Sequence, residues 1–139
     1  QNDFIRYRDI GGGEVEVDML YSATSASGGS TGSGDYLFSL PIGLSFDLTE
    51  QPAYTGSLNL AASSAGGPYI LRGSTGSATS SNQWWSHAQV VPYSATQFRI
   101  VTDYYTNGPT SGSNSIGSGV FNLTYPSLSI YARFTFVKQ

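Results

Sequence analysis

The sequence predicts an all-β protein, an antiparallel β-sandwich of jelly-roll-like winding with eight to ten short strands and long Gly/Ser loops. Three observations predict it. Ser127 to Lys138 (SLSIYARFTFVK) alternates without a break: Leu128, Ile130, Ala132, Phe134 and Phe136 share one face of an extended chain, and Ser127, Ser129, Tyr131, Arg133 and Thr135 share the other. No window keeps helical spacing with caps at its ends. Apolar stretches of strand length recur along the chain, punctuated by Gly, Ser and Pro. A strand as apolar as the last one needs a second sheet to cover it, so it is expected in the middle of the fold. A jelly roll accommodates that strand number and blunts its edges. An immunoglobulin-like sandwich is the alternative, without the Cys-Trp-Cys signature.

In chain order, Phe4 to Asp9 reads as an opening strand with Phe4, Arg6 and Arg8 on one face and Ile5 and Tyr7 on the other. Gly11, Gly12 and Gly13 break it. In Glu14 to Ser22, Val15, Val17, Met19 and Tyr21 point one way and Glu14, Glu16 and Asp18 the other, the pattern of a strand with one dry and one wet face. Ala23 to Gly34 is a low-complexity loop. Asp35 to Leu40, Ile42 to Leu48, Tyr54 to Ala62 and Tyr69 to Arg72 read as strands. Gly73 to Asn82 is a second Ser/Thr/Gly loop, Trp84 to Val91 and Phe98 to Tyr105 are strands, and Thr106 to Gly119 is a third loop. Val120 to Tyr125 then leads through Pro126 into the last strand. Val15, Val17, Phe46, Ile100, Phe134 and Phe136 are the expected core.

At 139 residues the chain is expected to form one domain, with residues 1–12 as a lead-in segment or linker from an upstream region. It begins at Gln1 without Met and reads as a processed product or a C-terminal fragment. Charged residues are 11%, below the usual quarter or so, and Gly, Ser and Thr take their place. Such a surface is neutral and hydroxyl-rich, as on extracellular or particle-surface β-proteins. The six cations are scattered along the sequence and the net charge is −3, so no nucleic-acid partner is expected. The absence of cysteine excludes disulfides, zinc-thiolate sites and cysteine nucleophiles. No apolar run approaches a membrane span and no signal peptide is visible.

Catalytic patterns are thin. The single histidine, His87, reads as structural, and no GxSxG elbow sits in a strand-turn-helix setting. The loop at 23–34 lacks the GK[ST] of a phosphate-binding loop. Glu14, Glu16 and Asp18 are the one carboxylate cluster, with α-carbons about 7 Å apart at alternate strand positions. That spacing suits a glycosidase pair or, with loop carbonyls, calcium, but equally an ordinary wet face, which is the reading adopted. No catalytic residue, metal site or cofactor is assigned. The aromatic residues are more informative. Trp84 and Trp85 are adjacent, so one faces the core side and the other does not, and Tyr104 and Tyr105 pose the same choice. Together with Tyr131 on the hydroxylated face of the last strand, these are the ligand- or interface-binding candidates, since Trp and Tyr favour both subunit interfaces and sugar faces. Asn122-Leu123-Thr124 is an N-x-T sequon inside an expected strand.

Gly32 to Asp47 (GSGDYLFSLPIGLSFD), with its Gly/Ser loop leading into a D-Y-x-F-x-L-P strand, resembles a segment in structural proteins of phages and of large DNA viruses, fibre-knob or minor-capsid in type. Glu14 to Ser30 (EVEVDMLYSATSASGGS) and the closing SLSIYARFTFVK are similar to the same proteins, so the likeness runs from about Gly13 to the end. The resemblance implies a jelly-roll head or surface module of a virion: a fibre or spike head or minor capsid component, extracellular, without enzymatic activity. It implies assembly as a homo-oligomer, a trimer first, contact with other virion proteins, and attachment to a host glycan receptor. The alternative is a non-viral, lectin-like carbohydrate-binding module, and a β-sandwich hydrolase using Glu14 to Asp18 is a third reading. The loops at 23–34, 73–82 and 106–119 are the expected variable, exposed parts.

Overall fold

The alternation of the last strand is realised at the centre of a five-stranded antiparallel sheet. The computed structural model describes residues 3–24, 36–55, 71–80, 83–86, 89–105, 111–115 and 127–139. Strand β9 (Ser127–Val137) lies between β2 (Glu14–Thr24) and β4 (Arg72–Ser80), and β1 (Phe4–Gly11) and β5 (Gln83–Ser86) complete the order β1-β2-β9-β4-β5. The β2·β9 register pairs Val15 with Phe136, Val17 with Phe134 and Met19 with Ala132, so two apolar rows run in phase down one face. The β1–β2 hairpin closes through Gly12 and Gly13 at φ 65° and 81°, conformations that glycine adopts without strain.

The second sheet has the order β3-β7-β6, from Leu37–Ser39, Gln97–Tyr105 and Gln89–Pro92. β8 (Ser111–Ser115) also pairs with β7. Val101 faces Gln89 of β6 on one side and Ser115 on the other, so β8 continues the edge that β3 occupies. The sheets meet through aromatic rings. Phe98 of β7 sits 4.8 Å from Phe134 of β9, Phe46 sits 4.7 Å from Phe136, and Tyr21 of β2 meets Phe38 of β3 edge-on at 5.9 Å. Val15, Val17, Phe46, Ile100, Phe134 and Phe136 are all buried, as expected, together with Val90, Phe98 and Ile130. Each buried Val, Ile or Phe contributes about 1.5–3 kcal/mol, so this single cluster dominates the stability. The fold is an all-β sandwich of antiparallel strands.

Four expected boundaries are corrected. The Ser/Thr/Gly stretch expected as a loop at 73–82 contains β4, a strand paired on both sides. Its small side chains are what the position requires: a Cβ on Gly76 would come within 2.3 Å of the Tyr131 carbonyl oxygen. A bulge between Arg72 and Thr75, with Gly73 at φ 62°, sets this register, and the Ser74 hydroxyl donates to the Leu71 carbonyl at 2.5 Å. The loop expected at 106–119 contains β8. Ile42 to Leu48 is not a strand: Ile42 and Gly43 turn the chain, Leu44 N–H donates to Pro41 C=O at 3.1 Å, and only Phe46 bridges to Lys138. Ile42 is fully exposed, so its alternation with Leu44 and Phe46 was a coincidence of turn residues. The stretch Trp84 to Val91 divides between β5 and β6, in different sheets. The expected strand at 120–125 lies outside the described residues, as do residues 56–62 and 69–70 of two others.

Two buried polar side chains fasten the layers. Gln51 acts as a short stand-in for a strand neighbour: its Nε2 donates to Val137 C=O at 2.8 Å and its Oε1 accepts from Val137 N–H at 2.9 Å. Arg99, on β7, is buried between the Tyr54 and Tyr93 rings, each 5.6 Å from its guanidinium, and donates to Tyr54 C=O at 2.8 Å. Gly76→Ala is expected to lower unfolding free energy by about 1–3 kcal/mol through backbone overlap, read from urea denaturation midpoints; an unchanged midpoint contradicts the close approach. Gln51→Ala, which leaves Val137 N–H without its acceptor, is expected to cost about 1–2 kcal/mol and to speed hydrogen exchange at that amide.

Candidate functional site

Strand pairing turns residues far apart in sequence into rows across the outer face of the first sheet. Reading from β1 to β4, one row is Arg6–Asp18–Arg133–Thr75 and the next is Arg8–Glu16–Thr135–Arg72. Arg6 donates from Nε at 3.1 Å and from Nη2 at 2.7 Å to one oxygen of Asp18, and Arg133 approaches the same oxygen at 3.5 Å. Arg8 meets Glu16 at 2.9 Å and Arg72 meets Glu14 at 3.0 Å. Four of the six cations, scattered along the sequence, are thus gathered on one face. Each is answered by a carboxylate, so the face is a mosaic rather than a basic patch.

The energetic weight of this mosaic is small pair by pair. Arg6, Arg8 and Arg72 side chains are about 71% exposed, and exposed pairs contribute about 0–1 kcal/mol each. Their larger effect is on register, because a one-residue slip of a strand would turn its arginines to the apolar side. Asp18 differs from the rest. It is 7% exposed. Burial pushes its carboxyl up, but the Arg6 and Tyr131 hydrogen bonds and the charges of Arg133 and Arg6 outweigh that and hold it below its ordinary value. Tyr131 is pushed up, first by burial and then by its hydrogen bond to Asp18. Asp9 is held low chiefly by its bond from Lys138, with a second from Gly11 N–H at 2.9 Å. A groove of about 300 Å³ lies along this face, lined by Arg6, Arg8, Glu16, Asp18 and Arg133.

The five aromatic candidates do not form one site. Tyr131 lies on the outer face, in the row Phe4–Leu20–Tyr131–Ser77. Trp84 takes an outer register position on β5, across Thr79 from Ser129, and Trp85 takes a core-side position, across Ala78 from Ile130. Tyr104 and Tyr105 stand in the second sheet, opposite Gly112 and Ser111 of β8. His87 and Asn122 lie outside the described residues. Glu14, Glu16 and Asp18 are each engaged by an arginine, and among the described residues no three His, Asp or Glu converge as metal ligands. The groove was not anticipated, although R-x-R in residues 6–8 opposite E-x-E-x-D in residues 14–18 carries its signal.

β1 is the other unanticipated feature. All eight of its residues are exposed, including Phe4, Ile5, Tyr7 and Ile10. Ile5 and Tyr7 lie opposite Met19 and Val17, on the core side of the sheet, yet remain 39% and 52% exposed, because among the described residues the second sheet ends on this side at β3 and β8. A cleft of about 290 Å³ opens there, lined by Phe4, Ile5, Met19, Tyr21 and Phe38.

No protein-family model matches the chain, and neither a curated protein nor a solved structure shows significant similarity to it. Among the described residues, no helix is long and apolar enough to cross a membrane.

Asp18 supplies a pH test. Its folded value lies below the ordinary 3.8, so its stabilisation is complete above that value and is lost as pH falls through the depressed one. Asp18→Asn is expected to remove this part of the acid limb and to lower stability at neutral pH by on the order of 1 kcal/mol, measured by denaturation from pH 7 down to about pH 2. An unchanged acid limb would contradict the assignment.

Proposed function

We propose that this chain is a non-enzymatic, jelly-roll-like head or surface module of a viral particle that works by assembling with further copies of itself. The single observation that carries the reading is β1: an edge strand, exposed along its whole length, with four large apolar side chains on it. Monomeric proteins blunt such edges with bulges, charges on the dry side or a covering loop. On β1 such devices stand only at its far end, where Asp9 takes a core-side register position and the register shifts between Asp9 and Gly11; ahead of them Ile5 and Tyr7 form an apolar ledge. Support for jelly-roll winding comes from the chain's path, which leaves the first sheet after β2, returns for β4, and comes back from β8 to β9 beside β2. Support for a virion setting comes from the resemblance of Glu14 to Ser30, Gly32 to Asp47 and the last strand to viral structural proteins.

The outer-face groove favours a second reading, a glycan-binding module, since alternating guanidinium and carboxylate groups match the donor and acceptor character of sugar hydroxyls. The two readings separate on mass and on ligand. Light scattering is expected to give a concentration-dependent oligomer, with three copies as the closed form. A chain that stays monomeric at high concentration but binds on a glycan array, and loses that binding in Arg133→Ala, would replace the assembly reading with the glycan one.

A further inference from the structure

The groove on the outer face of the first sheet is not balanced in charge. Among the described residues three guanidinium groups line it, from Arg6, Arg8 and Arg133, against two carboxylates, Glu16 and Asp18. A local surplus of one positive charge thus stands in a chain whose net charge is −3. Arg6 and Arg8 rise from β1 and Arg133 from β9, with the two carboxylates on β2 between them. The surplus falls on Arg133. Arg6 holds Asp18 Oδ2 from Nε at 3.1 Å and from Nη2 at 2.7 Å, and Arg8 holds Glu16 Oε1 at 2.9 Å. Arg133 has only a share of the same Asp18 oxygen, at 3.5 Å, the far limit of a hydrogen bond. Two cations therefore stand over one carboxylate oxygen, and most of the five N–H donors of Arg133 are left over. Its side chain is 46% exposed. Among the described residues Glu16 is met at Oε1 alone, which leaves Oε2 to accept.

We propose that this groove takes a sugar residue bearing one carboxylate, with the carboxylate on the Arg133 guanidinium and ring hydroxyls donating to Glu16 Oε2. This rests on the glycan reading and names the class of glycan. A guanidinium fork meets a carboxylate through two parallel N–H···O bonds, which a neutral sugar does not offer. One added negative charge balances the surplus, whereas a polyanion would also face the fixed carboxylates of Glu16 and Asp18. The nearby cations add no further excess, since Arg72 is engaged by Glu14 at 3.0 Å and Lys138 by Asp9. At about 300 Å³ the groove is at the small end of ligand sites, suited to a single sugar residue.

The test titrates the full chain with methyl glucuronide, its neutral twin methyl glucoside, and the 6-sulfate ester of that glucoside, followed by NMR shifts. The glucuronide is expected to bind at least fivefold more tightly than the glucoside, and to lose at least twofold between about 50 and 300 mM salt. Arg133→Gln is expected to abolish the preference. Arg133→Lys keeps the charge without the fork, so it restores part of the preference and shows that the fold of the variants is intact. Glu16→Gln raises the local surplus, so it is expected to tighten glucuronide binding at least twofold without tightening glucoside binding, a gain that a merely structural role for Glu16 does not give. Equal binding of glucuronide and glucoside overturns the proposal while keeping the glycan reading, and so does a sulfate ester that binds more tightly than the glucuronide. If none of the three probes binds, the proposal is overturned, and the glycan array decides the wider reading: array binding that is lost in Arg133→Ala keeps it, and a blank array removes it as well.

Discussion

The fold depends on two alternations held in phase. β2 and β9 pair over eleven residues each, and their register sets Val15, Val17 and Met19 beside Phe136, Phe134 and Ala132. Slipping that register by one residue would either bury Glu14, Glu16 and Asp18 of β2 or expose the phenylalanines of β9, a cost far above the few kcal/mol that any surface contact supplies. Everything else is arranged around that pairing. The second sheet exists to cover the dry face, with Phe98 against Phe134, and the first sheet's charged mosaic is what remains on the wet face.

The mosaic and the core are therefore one constraint seen from two sides. Arg6, Arg8, Arg72 and Arg133 contribute little individually, because three of them are mostly exposed and the fourth is nearly half exposed. They are useful as a register lock, since they find carboxylates only when the apolar residues also find each other. Asp18 is the exception in energy as well as position, being enclosed by Arg6, Arg133 and Tyr131.

The sheets are unequal in width, and the surface chemistry follows from that. Among the described residues the first sheet extends past β3 by the whole of β1, so Ile5 and Tyr7 take core-side positions yet stay exposed. Buried polar fastenings appear on the better-covered side, where Gln51 completes the end of β9 and Arg99 is enclosed by Tyr54 and Tyr93. Stability is thus concentrated around β9, and β1 is left exposed.

Period-two alternation is local, so the segments that have it were legible from residues alone: β1, β2, β7 and β9, their dry faces and the core they build. Where hydroxyl residues and glycine replace the pattern, the chain carries no local sign of strand. β4 forms because β9 and β5 offer hydrogen bonds on both sides and Gly76 fits against Tyr131, and neither condition is visible at residues 72–80. The reverse error, at Ile42 to Leu48, has the same origin, since alternation without a neighbour to pair with is only a turn. The sites divide likewise. Strand parity could say that Trp84 and Trp85 part company, but that they join one sheet and Tyr104 and Tyr105 the other depends on which strands pair. The gathering of four arginines depends on which strands lie side by side. Those are long-range pairings, chosen by the free energy of the whole packed sheet rather than by any segment within it.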